Sequence, residues 1–308
     1  MVAGKQGQGT ALAFALGAHA VWGMMPVYLL LLQSVPSLEF VAWRLVFTLP
    51  FCLALIAVFA DFSELKRVLR NRKIMFTLMA SSAIIAVNWF LYIYAIQHGY
   101  VYAASLGYYI LPLTMMLLGL VFLKEQLNRL QWSAVALAAF GVAALASGAL
   151  TTMWLSLTMA TTFGVYGLLR KTVDAGPLTG LTVEAMMLMP IALGVILWFW
   201  QSPYGVALGQ NTSVTLALAA SGPITAVPLM LFAAAARRLP YTVIGFLQFA
   251  SPTIVFFLGL FVFGEELRPA QLACFVMIWA AAALFSWSLF RGGDPAPADE
   301  ITSRGAGH

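Results

Sequence analysis

Two charged residues interrupt long apolar stretches of this 308-residue chain, Arg44 and Glu184, and each stands shortly before a proline, Pro50 or Pro190. A charge at the centre of a bilayer costs on the order of 3 kcal/mol on insertion scales, so such residues need a partner or a task. Glu184 is a candidate for proton coupling, because a carboxyl group in a low-dielectric site can take up and release a proton. The alternative is a structural carboxylate that caps helix ends or pairs locally. Arg44 carries a planar fork of donors suited to a carboxylate or phosphate on a substrate. Its alternative is a snorkelling cation paired with Glu39 or a backbone carbonyl. Each lies about 8 to 9 Å inside its own face of the membrane at roughly 1.5 Å per residue. A core of roughly 30 Å then separates them by about 13 Å along the normal, too far for an ion pair.

Uncharged polar residues add a second pattern. Ser81, Asn88 and Tyr92 fall on one face of a helix. Pro112, Pro228 and Pro252 each remove a backbone donor, which frees a carbonyl that lipid cannot satisfy and marks a break in the helix. Near them stand Ser105, Tyr108, Tyr109, Gly245 and Gln248. His19 and Trp22 share one helical face, as do Thr162 and Tyr166. The candidate substrate-binding set is therefore His19, Trp22, Arg44, Asn88, Trp89, Tyr92, Ser105, Tyr108, Tyr166 and Gln248. The alternative for each polar member is a hydrogen bond between packed helices, and for His19 a packed, hydrogen-bonded imidazole.

Catalytic constellations are missing. The histidines are His19, His98 and His308, the cysteines Cys52 and Cys274, and no HExxH, GxSxG or Walker pattern occurs. No catalytic residue, metal or cofactor is expected. The formal charge of +5 comes from basic residues scattered between apolar runs, which argues against a nucleic-acid partner.

The elements that position these residues follow from composition. Hydrophobic residues make up 62% of the chain and charged residues 9%, against roughly 25% charged in soluble domains. Uncharged runs such as 74 to 123 and 185 to 236 exceed a single crossing of roughly 20 residues and must fold back. Turn residues divide them into ten predicted spans, near 10–32, 39–60, 74–96, 101–123, 130–148, 153–169, 178–200, 213–236, 241–263 and 269–290. The first is read as a retained span rather than a cleaved leader. Nearly all basic residues then fall in tails or even-numbered loops, Arg268 and Arg44 excepted, which predicts cytoplasmic termini. The predicted organisation is a cytoplasmic tail 1–9, two five-helix halves at 10–148 and 153–290, and a disordered cytoplasmic tail 291–308.

The two halves are related. A shift of 140 positions aligns the third to fifth spans with the eighth to tenth, bringing Pro112 onto Pro252, Gly119 onto Gly259, Glu125 onto Glu265 and Gln131 onto Gln271. Ser81, Asn88 and Tyr92 meet Ser221, Pro228 and Phe232. With five spans per half, the second copy starts on the opposite side, the inverted repeat of many alternating-access transporters.

The chain resembles RarD-type permeases of the EamA group in the drug/metabolite transporter superfamily. The resemblance rests on Trp22-Gly23, Pro26, Arg44, Asn88-Trp89 and the run Ala104 to Tyr109 leading to Pro112. It continues through Gly167-Leu168-Leu169-Arg170-Lys171, Thr179-Gly180, Glu184, Pro190, Val227-Pro228, Gly245 to Gln248, Pro252 and Gly264-Glu265. It implies ten helices in two inverted repeats, a cavity lined mainly by the third, fourth, eighth and ninth, and passage of small metabolites across the bacterial cytoplasmic membrane, with export expected. Two positions depart from the family: Ala104 stands where Glu is usual and Trp43 where His is usual. The expected function is a secondary transporter of small organic metabolites, amino-acid-like or aromatic compounds among them, with protons as the candidate coupling ion. The alternative is an uncoupled facilitator or channel. The lipid bilayer is the expected surrounding, and the oligomeric state stays open.

Overall fold

Residues 2–59, 62–98, 100–203, 205–264 and 269–290 are described by the structure, a computed structural model. The expectations for Glu265, Arg268 and the tail 291–308 lie outside these residues. In chain order the helices are α1 (Val2–Gly23), α2 (Met25–Leu29), α3 (Ser37–Phe59), α4 (Phe62–Arg70), α5 (Arg72–Gln97), α6 (Val101–Phe122) and α7 (Arg129–Ala146). They continue as α8 (Met153–Thr172), α9 (Pro177–Trp200), α10 (Thr212–Ala236), α11 (Tyr241–Leu247), α12 (Ala250–Phe261) and α13 (Pro269–Phe290).

Among the described residues, nine helical segments are long and apolar enough to cross a membrane: Gly7–Leu32, Ser37–Phe59, Arg72–Tyr92, Ala103–Phe122, Arg129–Ala146, Pro177–Trp200, Thr212–Ala236, Tyr241–Phe261 and Gln271–Leu289. Phe59, Phe76, Phe140, Trp200 and Phe261 point outward, each at least two-thirds exposed, the arrangement expected where lipid is the solvent. This is a multi-pass membrane protein. The sixth predicted span corresponds to α8, whose Ser156, Thr158, Thr161, Thr162, Arg170 and Lys171 lower its hydropathy below that of the other nine.

Local sequence explains where helices start and divide. α1 begins at Val2, inside the stretch assigned to the N-terminal tail, and Pro26 opens α2 where a missing N–H does no harm. Asn211 caps α10 by accepting from Ser213 N and Val214 N, at 2.8 and 3.2 Å. No span is predicted between 60 and 74, yet α4 forms there because Leu65 and Val68 share a face and bury it against Ile56, Ile74, Leu78, Val173 and Val183.

The chain forms two compact units. Among the described residues, the first is drawn from 1–93 and 169–237 and the second from 94–168 and 238–290. In the first unit α3 packs against α9 and α10, and α1 against α10. In the second, α7 packs against α13 and α6 against α11. The pairs α3 with α9, α6 with α11 and α7 with α13 each join helices that the 140-residue shift aligns.

Close packing in the first unit depends on Gly222 of α10, where a Cβ would stand 2.5 Å from the carbonyl oxygen of Phe47 on α3. Gly194 of α9 has nothing within 4 Å of the same position. Gly222→Ala should therefore destabilise the protein by roughly 1–3 kcal/mol and lower its unfolding midpoint in detergent. Gly194→Ala should hold or raise it, since alanine is favoured over glycine in a helix by about 0.5–1 kcal/mol. Parallel thermal melts of the two variants check both signs.

Candidate functional site

Glu184 lies on α9, two turns after the helix opens at Pro177, and is 3% exposed. Its Oε1 accepts a hydrogen bond from Ser81 Oγ of α5 at 2.5 Å. The same oxygen lies 3.8 Å from Nε of Arg170, which is 1% exposed. Arg170 Nη2 donates to the Pro177 carbonyl at 3.0 Å, while its Nε and Nη1 are buried without a hydrogen-bond partner. A Cβ at position 180 would collide with this guanidinium, so the Thr179-Gly180 pair serves to admit Arg170. Two opposite charges and a hydroxyl thus converge from α5, α8 and α9.

Counted with the loop cations in the sequence reading, Arg170 instead sits inside α8, buried, as a partner of Glu184. Its position next to Lys171 at the end of an apolar run concealed this. Lys171 reaches the Ala236 carbonyl at 2.7 Å.

Arg44 is half-buried on α3. Its Nε donates to Thr225 Oγ1 of α10 at 3.0 Å. Its guanidinium carbon lies 5.5 Å from the centre of the Phe40 ring and 5.3 Å from that of Trp89, within the range of cation–π attraction. Asn88, buried, precedes Trp89 on α5, and Tyr92 lies one turn further along. Glu39, weighed as a partner for Arg44, has Oε1 engaged by Trp43 Nε1 at 3.0 Å and by Ala207 N at 2.6 Å. In the same unit, buried His19 packs its ring 5.5 Å from Trp22, which in turn lies 5.7 Å from Phe232. Pro228 is buried within a continuous α10. Thr225 and Phe40 are the neighbours of Arg44 that sequence alone did not single out.

The second unit holds the remaining candidates. Gln248 sits between α11 and α12, buried, with its Oε1 lacking a hydrogen-bond partner. The helix divides here: Phe249 N bonds to Phe246 O and Ser251 N to Gln248 O, at 3.2 and 3.3 Å. Ser251 thus takes the carbonyl that Pro252, having no N–H, leaves free. α6 runs unbroken through Pro112, whose carbonyl oxygen would stand 2.9 Å from a Cβ at Gly245. Tyr166 is 2% exposed and packs 5.8 Å from Phe163, whereas Ser105 and Tyr108 are exposed.

Glu125 shows what the repeated Gly119 and Glu125 do. Its carboxylate accepts from Tyr241 N at 2.6 Å and Thr242 N at 2.8 Å, the opening residues of α11. A Cβ at Gly119 would stand 2.8 Å from Glu125 Oε2, so glycine leaves the carboxylate its space.

Comparison with known proteins agrees with this architecture. A family model described as the EamA-like transporter family matches residues 9–147. An uncharacterized transporter of Pseudomonas aeruginosa is 40% identical over 276 residues, covering 90% of this chain and 93% of that protein. The uncharacterized transporter YojE of Bacillus subtilis is 41% identical over 283 residues, covering 91% and 92%. Protein RarD of Escherichia coli is 36% identical over 279 residues, covering 88% and 92%. The chain belongs to the EamA-like transporter family, as a RarD-type permease. A crystal structure superposes with a TM-score of 0.73 at 15% identity, covering 91% of this chain and 98% of that one, which shows a shared fold.

As a RarD-type permease, the chain is a membrane transporter with a small-molecule substrate. The two positions expected to depart from the family pattern can now be placed. Ala104 is 2% exposed and fills a packed position, and Trp43 is 8% exposed with its indole N–H on Glu39.

The Arg170 and Glu184 contact makes a stability prediction. Arg170→Met leaves a buried carboxylate without its cation and should cost about 3–5 kcal/mol. The double variant Arg170→Met with Glu184→Met removes both charges and should recover most of that loss. A double-mutant cycle of thermal midpoints at neutral pH measures the coupling.

Proposed function

We propose that this permease is a secondary transporter that binds substrates bearing a carboxylate beside an aromatic or apolar body. The observation that carries this reading is Arg44: a half-buried guanidinium between the rings of Phe40 and Trp89, next to Thr225. A planar fork recognises a carboxylate by paired hydrogen bonds, and flanking rings add contact area for an apolar ligand. Export across the cytoplasmic membrane by alternating access, with ten spans including α8, two inverted repeats and cytoplasmic termini, completes the reading. Pairing of 140-shifted helices within each unit supports the repeat, and the placement of basic residues supports the sidedness.

Glu184 is the coupling group in this scheme. Arg170 and Ser81 stand against its carboxylate, and movement of α8 or α5 would take that cation and that donor away, which gives proton exchange its structural lever. One carboxylate oxygen that faces a hydroxyl on α5 and a guanidinium on α8 gives the coupling a structural handle.

Two measurements test these roles. A thermal-shift screen of purified protein against amino acids, aromatic acids, vitamins and nucleosides should find saturable stabilisation by carboxylates, about 2.7 kcal/mol at a hundredfold excess over Kd. The shift should vanish in Arg44→Gln. Equal stabilisation of both proteins would remove Arg44 from recognition. In proteoliposomes loaded with such a ligand, Glu184→Gln should abolish the dependence of transport on a pH gradient; unchanged dependence would exclude Glu184 as the coupling group, and transport indifferent to pH in the parent would indicate a facilitator.

A further inference from the structure

The nine residues of α4 are too few to cross a membrane, and the helix lies between two spans, α3 ending at Phe59 and α5 starting at Arg72. Leu65 and Val68 fix one face to the core beside Ile56 of α3 and Ile74 and Leu78 of α5. A helix held against the ends of two spans rests at the boundary between hydrocarbon and water. Its other face and the residues that follow carry Lys66, Arg70, Arg72 and Lys73, all exposed.

Among the described residues, the acids nearby are already engaged. Glu64 accepts from Gly176 N at 2.8 Å and from Thr179 Oγ1 at 2.7 Å, and Asp174 pairs with Arg67 at 2.9 Å. Among the described residues no ion pair involves Lys66, Arg70, Arg72 or Lys73. Two apolar side chains flank the cations, Phe62 at 41% and Leu69 at 44% exposure. Unpaired positive charge next to exposed apolar groups, at the edge of a bilayer, matches a ligand with an anionic head and acyl chains.

We propose that this basic face of α4 and the first residues of α5 bind the phosphate headgroups of anionic phospholipids in the surrounding bilayer. Phe62 and Leu69 meet the upper acyl chains while the four cations meet the phosphates. A soluble phosphate would use only the second half of this surface.

The test is electron paramagnetic resonance on protein reconstituted in phosphatidylcholine with spin-labelled phosphatidylglycerol or spin-labelled phosphatidylcholine as the probe. The parent should hold a severalfold larger motionally restricted fraction of the phosphatidylglycerol label, of the order that a few interfacial cations produce. That preference should fall by more than half in the variant K66Q/R70Q/R72Q/K73Q and persist in K124Q/R129Q, which removes two other exposed cations. In the parent it should shrink in about 1 M salt, where the Debye length is about 3 Å, and survive soluble glycerol phosphate at matched ionic strength. No preference in the parent, a preference retained in the quadruple variant, or equal loss in both variants would overturn the proposal. Displacement by glycerol phosphate would reassign the surface to free phosphate. The parent's salt response decides the electrostatic claim independently of how well the variants fold.

Discussion

Backbone N–H groups at the start of a helix have no partner within that helix, and lipid offers none. In this permease, acidic side chains supply several of them. Glu125 takes the two opening amides of α11, and Glu64 takes Gly176 N at the residue before α9. Each acid comes from a distant part of the sequence, so each contact fixes a tertiary position as well as a helix end. A carboxylate there also benefits from the positive end of the helix dipole. Removing one would strand a backbone donor that lipid cannot satisfy.

The pair of Glu184 and Arg170 follows a different logic. Neither carboxylate nor guanidinium is at a helix start that needs it, and several donors of Arg170 lack hydrogen-bond partners. A buried ion pair of this kind contributes little net stability compared with apolar packing, because desolvation offsets the attraction. Its retention in a transporter fits a role in which the charges exchange partners. Arg44 differs again, since it is half-buried and framed by aromatic rings, a setting in which a guanidinium keeps access to a ligand.

Glycine links these features. Gly180 leaves room for the Arg170 guanidinium, Gly119 for the Glu125 carboxylate, and Gly222 lets α10 approach the backbone of α3. In membrane proteins, small residues at helix contacts allow the close approach that dispersion and polar contacts require.

The sequence by itself determined the helical, multi-pass character, because unbroken apolar runs longer than one crossing have no other stable form in lipid. The family was equally legible, since it depends on short motifs such as Asn88-Trp89 and Gly245 to Gln248, and the shift of 140 positions flagged Gly119 and Glu125 before their role was known. Arg44 and Glu184 stood out because isolated charges are rare in such runs. Only the tertiary structure decided their partners: Thr225, Phe40 and Trp89 for Arg44, and Ser81 with Arg170 for Glu184. Arg170 looked like a loop cation because hydropathy records where charge occurs along the chain and not what faces it across a helix contact. The folding of α4 escaped notice for a related reason, as its two buried side chains gain their value only from residues of α3, α5 and α9 that packing brings to it.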